Sequence, residues 1–119
     1  MGQIFNPTNF NLPNRCLEYA QSPQTLVFED FIRIYFSSRS TDSSKKFLSH
    51  ICYIDIKKDF KTIINVSDHQ VLTLGELGNF DEHGIFPINI LKVGSKIFGY
   101  TTGWNRRVSV SVETAIGFV

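Results

Sequence analysis

The side chains most able to do chemistry gather between Gly78 and Trp104. Asp81, Glu82 and His83 stand side by side in a loop bounded by Gly78 and Gly84. A carboxylate or imidazole on a rim loop can take or give a proton, and loops held by a rigid scaffold often carry function. The plainer role for the trio is a solvated turn in which Asp81 caps backbone N–H groups ahead of Gly84. In an extended chain Asp81 and Glu82 point opposite ways, so they are not a ready-made dyad. Upstream, Arg39 follows Ser37 and Ser38. Its planar guanidinium can hold a hydroxyl or carboxylate in a fixed fork; the alternative is an ordinary surface-loop arginine. Tyr100 and Trp104 offer aromatic faces on which a sugar ring can stack, although a lone Trp after a strand more often serves packing.

Cys16, Cys52, His50, His69 and His83 invite a metal reading. His50 and Cys52 share a strand face, yet the chain holds no CxxC, HxxxH or HExxH spacing, so no metal site is expected. A nucleophilic Cys–His pair is equally unsupported. Gly75, Gly78 and Gly84 lie in turns with no helix following, which leaves no phosphate cradle, and no cofactor is expected. Two cysteines in 119 residues do not make a disulfide framework, and the natural role of each is that of a small buried apolar residue. No basic start with an apolar run marks a signal peptide, and no apolar stretch reaches the roughly 20 residues of a membrane span. The expectation is a cytoplasmic chain with reduced thiols and no membrane contact. A net charge of +1 leaves no electrostatic footprint for nucleic acid. Lys57-Lys58 and Arg106-Arg107 are isolated pairs and read as solvated loop charges.

The elements that must position these groups are strands. Phe, Ile, Val, Tyr and Thr crowd the periodic segments, and no segment keeps helical spacing for three turns. Residues 1–23 read as irregular, broken by Pro7, Pro13 and Pro23, with Ile4-Phe5 as a short edge strand and 17–20 as one helical turn at most. Residues 25–28 and 31–37 read as a hairpin about Glu29-Asp30. In it Ile32, Ile34 and Phe36 face one way, and Arg33, Tyr35 and Ser37 the other. Residues 47–56 form the next strand, with His50, Cys52, Ile54 and Ile56 on one face and Ile51, Tyr53 and Asp55 on the other. Residues 63–66 form a fourth. A four-stranded antiparallel meander over 24–66 follows. A second unit over 71–119 repeats the pattern: a strand over 85–93, a Gly94-Ser95 turn, a strand over 97–102, and another beginning at Thr114. The expectation is a single all-β domain made of two blade-like units, the second incomplete.

Several stretches carry a resemblance. They are Ala20-Gln21-Ser22-Pro23-Gln24-Thr25-Leu26, Arg33-Ile34-Tyr35-Phe36-Ser37-Ser38-Arg39, Tyr53-Ile54-Asp55, Phe80-Asp81-Glu82-His83-Gly84-Ile85-Phe86-Pro87, Lys92-Val93-Gly94-Ser95-Lys96 and Tyr100-Thr101-Thr102-Gly103-Trp104-Asn105. In this order they resemble successive motifs of the five-bladed β-propeller glycosidase-like proteins, relatives of arabinanases, β-xylosidases and β-fructosidases. The nearest resemblance is to uncharacterised members associated with bacterial surface-polysaccharide genes.

The resemblance implies the first two blades of a propeller, left incomplete, and hence open strand edges that pair with another chain. The expected partner is a second copy, in a homodimer or higher homo-oligomer that completes the fold. The implied ligand is a carbohydrate, held by Arg39, Asp81, Glu82, Tyr100 and Trp104. Glycoside hydrolysis needs two carboxyl groups across the bond. The first-blade carboxylate is replaced here by the Gln21 segment, the Asp that normally follows Arg39 is Ser40, and Pro87 is followed by Ile88-Asn89 instead of small hydroxyl residues. The third-blade acid lies beyond the match. Asp81 is therefore a weak catalytic candidate without a visible partner. The expectation is a truncated propeller-like module that binds carbohydrate or serves assembly without catalysis. Two alternatives remain: a glycoside hydrolase active only as an oligomer, and a protein-interaction module that uses its open strand edges.

Overall fold

Alternation of apolar residues dictates the first sheet. The structure, a computed structural model, describes residues 2–119 and holds no α-helix among them. The strands are β1 (Glu18–Val27), β2 (Ile32–Thr41), β3 (Phe47–Ile56) and β4 (Ile63–Val66), then β5 (Gly84–Val93), β6 (Lys96–Asn105) and β7 (Glu113–Phe118). The first four form an antiparallel meander. Ile32, Phe36, Cys52, Ile54 and Ile56 bury one face of it against Leu12 and Cys16. Leu26, Tyr35 and Ile51 bury the other face against Ile85 and Ile88 of β5. The period of two in β2 and β3 thus serves two cores, one on each side.

The second unit is the antiparallel run β5-β6-β7. It begins with Gly84-Ile85, whose Ile85 is only 2% exposed. The outer edge of β3 joins the two units. Near its C-terminal end β3 pairs with β4, Ile54 opposite Val66. Further along, the Ser67 N–H donates to the Tyr53 carbonyl at 2.9 Å and the Val71 N–H to the Ile51 carbonyl at 3.0 Å. At the N-terminal end Ser49 meets Gly84 in a single parallel bridge. Residues 63–84 therefore run along one edge and satisfy its backbone groups in turn, as a buried edge requires.

Two expectations need correction. Residues 17–20 do not make a helical turn: β1 begins at Glu18, ahead of the expected start near Gln24. Tyr19 and Ser22 have φ of 65° and 51°, and the β1–β2 register shifts twice, so bulges hide the alternation that marks a strand. Ile4-Phe5 is not a strand. Phe5 instead stacks on Phe10 with ring centroids 5.1 Å apart and packs on Phe36 at 5.2 Å. The segment before β1 thus lies on its own first sheet, through two 3-10 turns at Pro7–Asn9 and Pro13–Arg15. In the run 71–74, Val71, Leu72 and Leu74 pack against the core under β5.

Candidate functional site

The Ser49–Gly84 bridge brings together two side chains far apart in the chain, Arg39 and Trp104. Both line one open cavity of about 350 Å³, together with Phe47, Ser49, Phe86, Val112 and Thr114. Register explains the placement. Arg39 lies opposite Ser49 across β2 and β3, Ser49 opposite Gly84, Gly84 opposite Trp104, and Trp104 opposite Thr114. Opposed residues share a sheet face, so Arg39, Ser49, Trp104 and Thr114 point into one hollow, with Gly84 beneath the Trp104 indole.

Each wall of the hollow is fixed by packing. The Arg39 guanidinium carbon lies 4.9 Å from the Tyr19 ring centroid and 5.2 Å from that of Phe47, and these two rings meet edge to face at 6.1 Å. Cation–π contact holds the group in place while its N–H fork stays free of any carboxylate among the described residues. The Trp104 indole lies across Gly84, where a Cβ would overlap Nε1. Only a glycine at that position lets the ring descend onto the bridge. His83 flanks the indole at 6.0 Å between centroids, and the Arg106 guanidinium carbon sits 5.5 Å from the ring.

Arg106 is not the solvated loop charge that its sequence context predicts. Its Nη1 pairs with Asp42 at 2.9 Å, and Nη2 donates to the Phe47 carbonyl. Asp42 sits in the turn between β2 and β3, so the ion pair braces that turn against the second unit. Hydrogen bonds from the Lys46 N–H, the Arg106 guanidinium and the Ser44 N–H hold the Asp42 carboxyl below its usual pKa. Arg107, in contrast, pairs with Glu113 at 2.6 Å on the exposed surface.

The remaining expected residues lie elsewhere. Asp81 packs beneath Gly103, where a Cβ would press on Phe80 and Asp81. Gly103 and Trp104 are neighbours on one strand and face opposite ways, so the sheet separates Asp81 from the cavity. Glu82 turns its Oε2 to the Gly78 N–H at 2.9 Å and its Oε1 to His83 Nε2 at 3.5 Å. It serves its own loop. Tyr100 shares the Trp104 face but lies further along β6 and packs on Phe118 at 5.1 Å. Of the five expected residues, the fold brings Arg39 and Trp104 together and leaves Asp81, Glu82 and Tyr100 apart from them. Sequence reasoning missed Ser49, Phe47 and Phe86. The alternation in β3 does place Ser49 on the Ile51 face, but only the long-range bridge shows what stands opposite.

The other polar cluster surrounds His50, which is 5% exposed. Its Nε2 lies 3.1 Å from Ser40 Oγ, and Asn14 Nδ2 donates to Nδ1 at 3.4 Å, a pattern that suits a neutral ring carrying its proton on Nε2. Cys16 and Cys52 are both fully buried and free. The hydrogen bond with Cys16, together with burial, pushes the Cys52 thiol up, which keeps it protonated. Among the described residues no group of three or more His, Cys, Asp or Glu side chains could hold a metal ion, and no helix is long and apolar enough to cross a membrane.

Two proteins of Mycobacterium tuberculosis are similar to this chain: uncharacterized protein MT1551 of strain CDC 1551 / Oshkosh and uncharacterized protein Rv1502 of strain H37Rv. Each is 30% identical over 122 residues, which takes in 98% of this chain and 38% of the relative. The chain thus spans well under half the length of the curated relatives it matches. No protein-family model matches the chain, and no solved structure matches it significantly.

Proposed function

We propose that the chain is a propeller-like module of the glycosidase-like type that binds carbohydrate in the Arg39–Trp104 cavity and does not catalyse. The observation that carries the reading is the cavity itself, where a free guanidinium fork stands beside an indole in a hollow of about 350 Å³. A sugar ring stacks on the indole, and a hydroxyl or carboxylate of the sugar takes the fork of Arg39. The Ser49 and Thr114 hydroxyls add polar contacts, and Phe47 and Phe86 cover the apolar face of the ring. Two antiparallel units in series, the second laid across the face of the first, support the propeller-like part of the proposal. The hydrolase alternative has less support, because Asp81 and Glu82 stand away from the hollow and the lining holds no carboxylate.

The test is a glycan array of neutral and acidic oligosaccharides probed with the 119-residue chain, followed by titration calorimetry on the best glycan. Trp104→Ala is expected to weaken binding by about tenfold or more, since an aromatic stacking contact contributes about 0.5–1.5 kcal/mol beyond area burial. Arg39→Ala is expected to weaken it further for acidic than for neutral sugars. An array on which no glycan is retained, or a Trp104→Ala variant that binds at full strength, overturns the reading.

A further inference from the structure

Cys16 and Cys52 are the two cysteines of the chain, and the fold sets them side by side. Cys52 stands on β3, on the face that buries Phe36 and Ile54. Cys16 belongs to the segment that crosses this face ahead of β1. Both are 0% exposed and neither is in a disulfide. Each sulfur has the other as hydrogen-bond partner, with the Ser38 hydroxyl beside Cys16 and the Ser67 hydroxyl beside Cys52. A buried free Cys packs as a small hydrophobe, and packing alone gives two of them no reason to meet.

The segment over this face is a strap, residues 5–16, held chiefly by its side chains. Phe5 packs on Phe36, Leu12 enters the core, and Asn14 donates to His50 Nδ1 and to Gln70 Oε1. Among the described residues its backbone bonds close on the strap itself, from Asn9 to Asn6, Phe10 to Pro7 and Cys16 to Pro13. The first link to β2 is the Leu17 N–H, which donates to the Arg39 carbonyl at 3.3 Å. A segment with so few backbone ties opens locally at lower cost than a paired strand.

We propose that Cys16 and Cys52 are a redox pair whose disulfide clamps this strap to β3. The oxidant is a small disulfide, glutathione disulfide. With the strap lifted, the Cys16 thiolate attacks one sulfur of the oxidant. A Cys16–glutathione bond forms, the S–S bond of the oxidant breaks, and one glutathione leaves as a thiolate. With the strap returned, Cys52 loses its proton and attacks the Cys16 sulfur. The Cys16–Cys52 bond forms and the second glutathione leaves. The two cysteines lose two electrons to the oxidant, and their two protons end on the two glutathione thiols.

Cys16 is placed to react first, because it moves with the strap. The hydrogen bond from Cys52, against the effect of burial, also holds its thiol below the ordinary value. The clamped strap continues through Leu17 to Tyr19, whose ring centroid lies 4.9 Å from the Arg39 guanidinium carbon. Oxidation therefore stiffens one wall of the cavity, but the disulfide does not depend on what the cavity binds. The groups that enclose the pair lie between Phe5 and Gln70, so a cover on the outer edges of the sheet leaves them in place.

The test refolds the 119-residue chain from urea in a buffer of reduced and oxidised glutathione, in which the thiols equilibrate whatever their burial in the native state. The expected product is a chain lighter by two hydrogen atoms, with no thiol left to alkylate after denaturation and with the Cys16 and Cys52 peptides joined in a non-reducing digest. Its melting temperature is expected to exceed that of the reduced chain by roughly 5–20 °C, the effect of a disulfide that closes a long loop. Amide hydrogen exchange in the strap is expected to slow on oxidation. The same buffer is expected to raise the melting temperature of neither Cys16→Ala nor Cys52→Ala; where these variants fail to fold, the two forms of the wild type carry the test. Free thiols after equilibration, chains linked to one another or to glutathione, or an oxidised form that melts no higher than the reduced one overturns the proposal.

Discussion

Arg33 and Asp55 stand directly opposite each other on β2 and β3, joined by two parallel hydrogen bonds, Nε to Oδ1 at 2.7 Å and Nη2 to Oδ2 at 2.9 Å. The guanidinium carbon lies 3.8 Å from the centroid of the Tyr53 ring, and Asn65 donates to Asp55 Oδ2 at 3.2 Å. The Asp55 side chain is 7% exposed, so its charge depends on these donors. The same contact, chiefly its hydrogen bonds, raises the pKa of Arg33 above its ordinary value.

Removing one partner is expected to cost more than removing both. Arg33→Leu leaves a buried carboxylate with one amide donor, and a loss of about 3–5 kcal/mol follows. The double variant Arg33→Leu/Asp55→Leu strands no charge and is expected to recover most of that loss. Urea denaturation of the two single variants and the double variant measures the coupling.

Gly84 carries the floor of the cavity. Gly84→Ala places a methyl group where the Trp104 indole lies and forces the ring away. Trp104 is the chain's single tryptophan, so its fluorescence reports on the cavity alone. The variant is expected to shift the emission maximum and to lower glycan affinity by about tenfold, the effect of losing one stacked aromatic. An unshifted spectrum would show that the ring had not moved.

His50 gives the fold a pH dependence. Burial holds its pKa below the ordinary value of 6.5, with Gln70 opposing the effect in part. The native chain therefore binds this proton less readily than the unfolded chain. Stability is complete above pH 6.5 and falls as the pH drops through that value toward the lower folded one. Melting curves at about pH 7.5 and about pH 5 are expected to differ more for the wild type than for His50→Gln, which has no proton to gain there.

Ile85 ties the second unit to the first. It is 2% exposed and shares a core with Leu26, Tyr35 and Ile51. Ile85→Ala is expected to cost about 2–5 kcal/mol by opening a cavity between the units. Because the Ser49–Gly84 bridge adjoins it, Trp104 emission is expected to change before global unfolding in a denaturant titration. A single transition with coincident probes would count against that order.

Local patterns in the sequence reach as far as local structure does. The alternation in 47–56 yields β3 with its bounds and both of its faces, and the Gly94-Ser95 turn falls between β5 and β6 as expected. The same method fails over 17–23, because two left-handed residues and a proline break the period of two while the strand continues. Arg106 is misread for another reason: its partner Asp42 is 64 positions away, and the composition around it gives no sign of the pair. The cavity was legible only in part. The residue types of Arg39 and Trp104 were informative, but their meeting depends on one parallel bridge that periodicity does not encode. Asp81 lies on the far side of the sheet from Trp104, which the parity of Gly103 and Trp104 fixes once the loop is seen to fold beneath Gly103.

The way residues 63–84 line the outer edge of β3 also sets an order of events during synthesis. Among themselves strands β1 to β4 pair only as sequence neighbours, so the first unit can form as soon as it leaves the ribosome. Until Gly84 follows, the N-terminal half of that edge has no cover. At a translation rate of roughly 5–20 residues per second, the interval from residue 67 to residue 84 lasts on the order of one to a few seconds. For that time the nascent chain offers a bare strand to any neighbour on the same polysome, and the stretch from Ser67 to His83 is what ends the exposure.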